Sequence, residues 1–210
     1  MGVILFVRHG KASVGTADYD VLSDTGELQS ELLGTELSRR GVTATRILTG
    51  RLNRQQQTAR CTRRASKWSA SPEVDEAWNE FNHEDVVAAQ RKVATPDAEP
   101  LDRAIPRWSS GLYDHEYTEP FPAFTKRVDD ALHTLAAESA SGETAVVFTS
   151  AGVIGWVAAT LLGGGTPQWL ALNRVVVNSG VTKVVVGSRG STLLTFNEHS
   201  HLPPQLVTYR

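Results

Sequence analysis

Val3-Ile4-Leu5-Phe6-Val7-Arg8-His9-Gly10 sets an apolar run directly against two ionisable residues and a glycine. The run is short and partly β-branched, and it reads as a buried strand. The charged pair falls at the strand's C-terminal end. In open α/β sheets that edge is where ligands bind, because loops and helix N-termini converge there. A guanidinium at such an edge fixes a phosphate bidentately. A neighbouring imidazole can attack a phosphorus atom, and a glycine lets the backbone approach an oxyanion.

Working outward, a loop over 10–22 leads to Ser23-Asp24-Thr25-Gly26-Glu27. This has the form of a helix start, with Ser23 as N-cap and acidic residues in the first turn. Leu28, Leu32, Leu33 and Leu37 continue at helical spacing, and Gly41 ends the helix. Ile47-Leu48-Thr49 predicts a short strand. Asn53 predicts the cap of a second helix running to about 68, and Ser71-Pro72-Glu73-Val74 a brief extended segment. Residues 144–149 form a second strongly apolar strand, and 152–162 its following helix, stopped by Gly163-Gly164-Gly165. Val175-Val176-Val177, 181–186 and 192–196 predict closing strands, the last pair joined by Gly187-Ser188-Arg189-Gly190. Strand–helix alternation predicts an α/β protein: three layers, α/β/α, around a mostly parallel sheet. The final hairpin makes one edge antiparallel.

Between Trp78 and Pro122 the pattern weakens. Pro96, Pro100, Pro106, Pro120 and Pro122 punctuate it, and one helix is predicted at about 83–93. This is the expectation of a single domain over 1–210 with an insertion at about 82–122 over the ligand edge, too broken to own a core. A helix over 122–139 follows, with Phe124, Val128, Ala131, Leu132 and Leu135 on one face.

With 210 residues, 40% of them hydrophobic and 21% charged, the chain suits one soluble domain with a full core. A net charge of −2 does not point to a nucleic-acid partner. A single cysteine, Cys61, excludes an internal disulfide framework and fits a reducing cytoplasm. No signal peptide is read before the first strand, and the first apolar run is too short to span a bilayer, so no membrane partner is expected.

Three further segments carry chemistry. Leu52-Asn53-Arg54-Gln55-Gln56-Gln57-Thr58-Ala59 places an arginine in the first turn of a helix. A cation there opposes the helix dipole, so an anionic ligand is the better explanation. Trp78-Asn79-Glu80-Phe81-Asn82-His83 carries an acid in a linker, with Glu76 and Glu84 one helical turn either side. Val146-Val147-Phe148-Thr149-Ser150-Ala151-Gly152 is a strand ending in a small-residue turn that opens a helix.

In this order, and together with Phe196-Asn197-Glu198-His199-Ser200-His201-Leu202 near the end, the segments resemble the histidine phosphatase superfamily, in its phosphoglycerate-mutase-like branch. The resemblance implies that His9 is a nucleophile carrying a covalent phosphoryl group, which water then releases. It implies that Arg8 and Arg54 clamp the phosphoryl oxygens. Glu80 falls at the position of the proton donor. Gly10, Ala151 and Gly152 would contribute to phosphate binding, the last through the helix N-terminus. No metal and no cofactor are implied.

Two positions depart from that pattern. The family has a second histidine directly before the glycine of the fourth segment, and here that residue is Ala151. The missing imidazole donates to the transferring phosphoryl group, and losing one such donor costs roughly 10²–10³ in rate, about 2.7–4 kcal/mol. A small residue here resembles a bacterial subgroup that lacks this histidine. His83, His201 and Lys11 are candidates to substitute for it. The second departure is Lys11-Ala12-Ser13-Val14-Gly15, where the mutases carry an acid and then an asparagine; this counts against mutase activity, with Lys11 and Ser13 left as accessory candidates.

Other features have plainer readings. Arg60, Arg63, Arg64 and Lys67 form a solvated helical face. Ser150 is a turn or cap residue without the sharp setting of a serine nucleophile. His199 and His201 lack a third ligand for a metal. The expected activity is therefore metal-independent phosphomonoester hydrolysis on a small-molecule or protein substrate. The alternative is a weak or inactive phosphate-binding pseudoenzyme, and a mutase is the third reading. Trp108, Tyr113, His115 and Tyr117, with Arg91, Lys92, Arg103 and Arg107, are the aromatic and cationic candidates for substrate choice.

Overall fold

The computed structural model describes residues 1–13, 20–92 and 100–209. Val14, Gly15 and Pro96 lie outside them. The chain divides into two compact units, Met1–Glu80 with Ala131–Arg210, and Phe81–Asp130.

The first unit is built on a mixed sheet. Strands β1 (Gly2–Arg8), β2 (Arg46–Thr49), β3 (Pro72–Val74), β4 (Thr144–Thr149), β5 (Val181–Gly187) and β6 (Gly190–Glu198) lie in the order β3-β2-β4-β1-β5-β6. β1, β2, β3 and β4 are parallel, and β1 and β4 pair in a register that sets Arg8 opposite Thr149. β5 runs antiparallel to β1, and β6 antiparallel to β5. This is the three-layer α/β/α architecture expected, with the antiparallel edge formed by the closing hairpin.

Alternation along β1 divides the core. Leu5 and Val7 face one side, where they meet Leu33 and Leu37 of α1 (Asp24–Arg39) and Ala59 of α2 (Asn53–Ser66). Ile4 and Phe6 face the other side and are fully buried. Helix α6 (Ala151–Leu161) follows β4, packs beside β1 and β6, and buries Val153, Ile154, Val157 and Ala158. Among the described residues no helix is long and apolar enough to cross a membrane.

The second unit holds α3 (His83–Arg91), α4 (Pro100–Ser109) and the start of α5 (Phe121–Glu138). Its centre is aromatic. The Trp108 ring lies 4.6 Å from Phe81, 5.1 Å from Phe121 and 5.4 Å from Phe124. Arg107 stacks 3.8 Å above Tyr113 and ion-pairs with Glu116 at 2.7 Å. This aromatic cluster lies within the unit Phe81–Asp130, which includes the expected insertion at about 82–122. The prolines misled for a physical reason. Pro100 opens α4 and Pro122 lies in the first turn of α5, where a missing N–H leaves no bond broken.

Four local expectations also change. Val175-Val176-Val177 is not a strand but a turn after an unforeseen helix, α7 (Thr166–Asn173). The second helix ends at Ser66, and Asn53 is its first residue rather than its cap. The buried stripe of α1 includes Gln29 and Ser30 and leaves Leu28 exposed. Ser23, by contrast, caps α1 as expected, its side chain accepting from the Gly26 N–H.

Candidate active site

The C-terminal end of β1 delivers Arg8 and His9 into a set of main-chain bonds. The His9 N–H donates to Thr149 O at 2.9 Å, carrying the β1–β4 pairing one residue past the strand. The Ser179 N–H donates to Arg8 O, and the Asn178 side-chain amide donates to His9 O at 3.1 Å. Arg8, His9 and Arg54 are almost fully buried, at 9%, 6% and 6% exposure.

The geometry fixes the state of the His9 ring. Its Nδ1 lies 2.8 Å from Gly10 O. A carbonyl only accepts, so Nδ1 carries the hydrogen; a guanidinium only donates, so the Nε2 facing Arg54 carries the lone pair. That Nε2 in turn accepts from the Arg54 Nε–H at 3.2 Å. The sequence thus brings an imidazole nitrogen with its lone pair against a guanidinium from the first turn of α2.

Arg54 is oriented by a residue the sequence reading passed over. Asp20 Oδ1 accepts from Arg54 Nη1 at 2.7 Å, and Asp20 Oδ2 accepts from the Asn53 N–H at 2.8 Å. The N-cap position of α2 is Leu52, which has no side-chain acceptor, so Asp20 caps this helix from a distance. The dipole argument predicts an anionic ligand at the start of α2; the chain's own Asp20 carboxylate also lies there. We expect Asp20→Ala to lower stability by about 1 kcal/mol, seen calorimetrically as a Tm drop of roughly 2–4 °C. Asp20→Asn should recover most of it, because an amide oxygen still caps Asn53. An unchanged Tm in Asp20→Ala would show that water caps α2 equally well.

Gly10 is packed tightly within the protein. Its N–H donates to Thr58 Oγ1 at 2.9 Å, and a Cβ on Gly10 would meet Gly26 O at 2.4 Å. Close approach of the first turn of α1 requires this glycine, and its amide is used within the protein. Thr58 lies one helical turn beyond Arg54 and donates back to Arg54 O at 2.7 Å. Arg8 Nη1 donates to the main-chain carbonyls of Val176 and Tyr209.

Glu80 reaches the other helix start. Its Oε2 accepts from the Gly152 N–H at 2.9 Å. A helix N-terminus favours a carboxylate. The linker that delivers Glu80 is pinned by Trp78, buried edge-on against Phe6 at 5.5 Å between ring centres. The Trp78 carbonyl accepts from Thr149 Oγ1 at 2.7 Å and from Gln55 Nε2 at 3.4 Å. Gln55 Nε2 also donates to Ser150 Oγ at 2.9 Å, tying α2 to the turn before α6. Glu76 instead pairs with Arg51 at 3.2 Å on the surface, and Glu84 lies in the first turn of α3. The Gly152 N–H, expected to face a phosphate, is donated to Glu80. Ala151 is the first residue of α6 and is buried.

His201 Nε2 lies 2.9 Å from Ser179 Oγ, and burial pushes its pKa down to about 4, so the ring is neutral at pH 7. Its neighbour His199 bonds through Nδ1 to Asn197 O. His83 belongs to the second unit, with its ring 4.3 Å from Phe81. Lys11 enters through its backbone, whose N–H donates to Gln29 Oε1 at 2.8 Å. Ser13 Oγ donates to Leu22 O at 3.1 Å.

A buried, tautomerically fixed histidine beside an arginine, at the parallel edge of a three-layer α/β/α fold, narrows the family sharply. The sequence pattern of the histidine phosphatase superfamily, branch 1, matches residues 4–199. The chain belongs to that superfamily. Solved structures of the same fold include a phosphoglycerate mutase from Bacillus anthracis, with TM-score 0.72, 20% identity, and coverage of 95% of this chain and 94% of that one. A putative α-ribazole-5′-P phosphatase from Escherichia coli gives 0.71 and 20%, covering 97% of this chain and 100% of that one. A phosphoserine phosphatase mutant from Entamoeba histolytica, solved with phosphoserine, gives 0.71 and 17%, covering 97% and 100%. Comparison with curated proteins gives no match. Within this member of the superfamily, Asp20, Gln29, Gln55, Thr58 and Asn178 are the site-forming residues that the sequence reading did not single out. Only Thr58 had a usable signal there, its i, i+4 spacing from Arg54.

Proposed function

We propose that this chain hydrolyses phosphomonoesters through a covalent phosphohistidine on His9. One observation carries the reading: the Nδ1–H···Gly10 O bond leaves the Nε2 lone pair next to the Arg54 guanidinium. An anionic ester drawn to Arg54 arrives with its phosphorus facing that lone pair.

In the first step Nε2 attacks phosphorus and the bond to the ester oxygen breaks. Glu80 gives its proton to the departing oxygen. In the second step Glu80 takes a proton from water, water oxygen attacks phosphorus, and the P–N bond returns its pair to Nε2. Inorganic phosphate leaves. Arg54, with Arg8, balances the charge on the phosphoryl oxygens. The phosphatase names of the Escherichia coli and Entamoeba histolytica relatives support a small phosphorylated metabolite as substrate. The one cysteine, Cys61, is buried and unbridged, which supports action in the cytoplasm.

The intermediate is expected to be acid-labile and base-stable, as a phosphoramidate, and rapid-quench mass spectrometry should locate it on His9. Full turnover without any phosphoenzyme would remove the mechanism. The reading also requires no divalent ion, because guanidiniums supply the charge that Mg²⁺ supplies elsewhere. Hydrolysis of an aryl phosphate should therefore survive excess chelator; loss in chelator with recovery on adding Mg²⁺ would overturn this.

A second reading rests on Ala151 and on the Gly152 N–H, which Glu80 occupies. With two phosphoryl donors missing, the site becomes a phosphate-binding pseudoenzyme. Phosphate binding that depends on Arg54, without turnover of any phosphomonoester, would favour it.

A further inference from the structure

We infer that Thr208, near the end of the chain, is a positioning residue for His9, acting through a partly buried chain of side-chain hydrogen bonds. The inference rests on the phosphohistidine reading for its effect on rate, but the network stands on geometry alone.

The direction of each bond is forced. Asn178 donates from Nδ2 to His9 O at 3.1 Å, so its Oδ1 faces the other way as an acceptor. Gln29 Oε1 accepts from the Lys11 N–H at 2.8 Å, so its Nε2 faces the C-terminal segment. There Nε2 donates to Leu206 O at 2.8 Å and to Thr208 Oγ1 at 2.9 Å. Between an amide that donates and an amide oxygen that accepts, only a group able to do both completes the chain. The Thr208 hydroxyl does so, accepting from Gln29 and donating to Asn178 Oδ1 at 2.9 Å.

The chain therefore grips the backbone on both sides of Gly10, at His9 O and at the Lys11 N–H. Gln29 and Asn178 are fully buried. The Asn178 N–H also donates to Thr208 O at 2.9 Å, and Arg8 Nη1 donates to Tyr209 O at 2.9 Å, so the same short segment is tied to Arg8 directly, to His9 through Asn178 and to Lys11 through Gln29. A satisfied network anchored on two buried amides specifies a single geometry, and breaking one member leaves others unpaired.

Thr208→Val keeps the shape and removes the hydroxyl. It is expected to fold, to speed hydrogen exchange of the Lys11 amide by about tenfold or more, and to lower kcat on an aryl phosphate about tenfold with KM little changed. Thr208→Ser is expected to restore both. Wild-type kcat and wild-type Lys11 exchange in a folded Thr208→Val would overturn the inference, as would a Thr208→Ser variant with the same defect. If Thr208→Val does not fold, the wild type decides, since a Lys11 amide exchanging as fast as an unstructured one overturns the network. If the wild type hydrolyses no phosphomonoester, the phosphatase reading fails, while Lys11 exchange still tests the network by itself.

Discussion

Replacing His9 by alanine is expected to cut phosphomonoester hydrolysis by on the order of 10⁴–10⁶, the scale seen when a covalent nucleophile is removed. The substitution deletes the lone pair while sparing the frame. The bonds that hold this segment run through the backbone: the His9 N–H to Thr149 O, Asn178 to His9 O, and the Gly10 N–H to Thr58. The variant should therefore fold, and it should still bind phosphate through Arg54. The measurement is steady-state hydrolysis of a generic aryl phosphate without added metal, alongside phosphate binding by calorimetry. Wild-type turnover in His9→Ala would remove both the nucleophile and the mechanism built on it.

Much of this arrangement was legible in the sequence because it rests on local signals. Strands β1 and β4 are uninterrupted apolar runs, and their ends mark the edge where Arg8, His9 and Ala151 lie. Ser23 caps α1 because a short polar side chain before a periodic run has one good use. What was not legible depends on distant contacts. Asp20 caps α2 across a gap of sequence, and no local pattern marks a carboxylate for that purpose. Gln29 breaks the apolar stripe of α1 because its partners, Lys11 and the 206–208 segment, are remote in sequence. Gly10 read as an oxyanion approach, yet its packing partner is Gly26, visible only once α1 docks. The second unit is hard to read locally because its prolines interrupt the pattern, although Pro100 and Pro122 sit at helix starts and Pro106 lies within α4.

Ala151→His is expected to raise kcat by as much as about 10², within the 10²–10³ that one phosphoryl-stabilising donor is worth. Ala151 is the first residue of α6, directly after Ser150 and directly before the glycine whose N–H meets Glu80. An imidazole there sits in the first turn of α6, where Cα–Cβ bonds tilt toward the helix N-terminus. Its N–H gains most when the phosphoryl oxygens carry their fullest charge, so the benefit belongs to the transition state. The rise should thus appear in kcat while KM stays near its wild-type value. Burial of Ala151 sets the competing cost, since a larger side chain must displace neighbours. Thermal unfolding separates that cost from chemistry. If Ala151→His folds normally, binds phosphate and gains nothing, another donor already serves the phosphoryl group. His201 is then the first to replace by alanine. Its ring is neutral at pH 7 and bonded to Ser179, whose N–H in turn meets Arg8 O. A loss of rate in His201→Ala, with phosphate affinity retained, would give that role to His201; an unchanged rate would pass the test to His83.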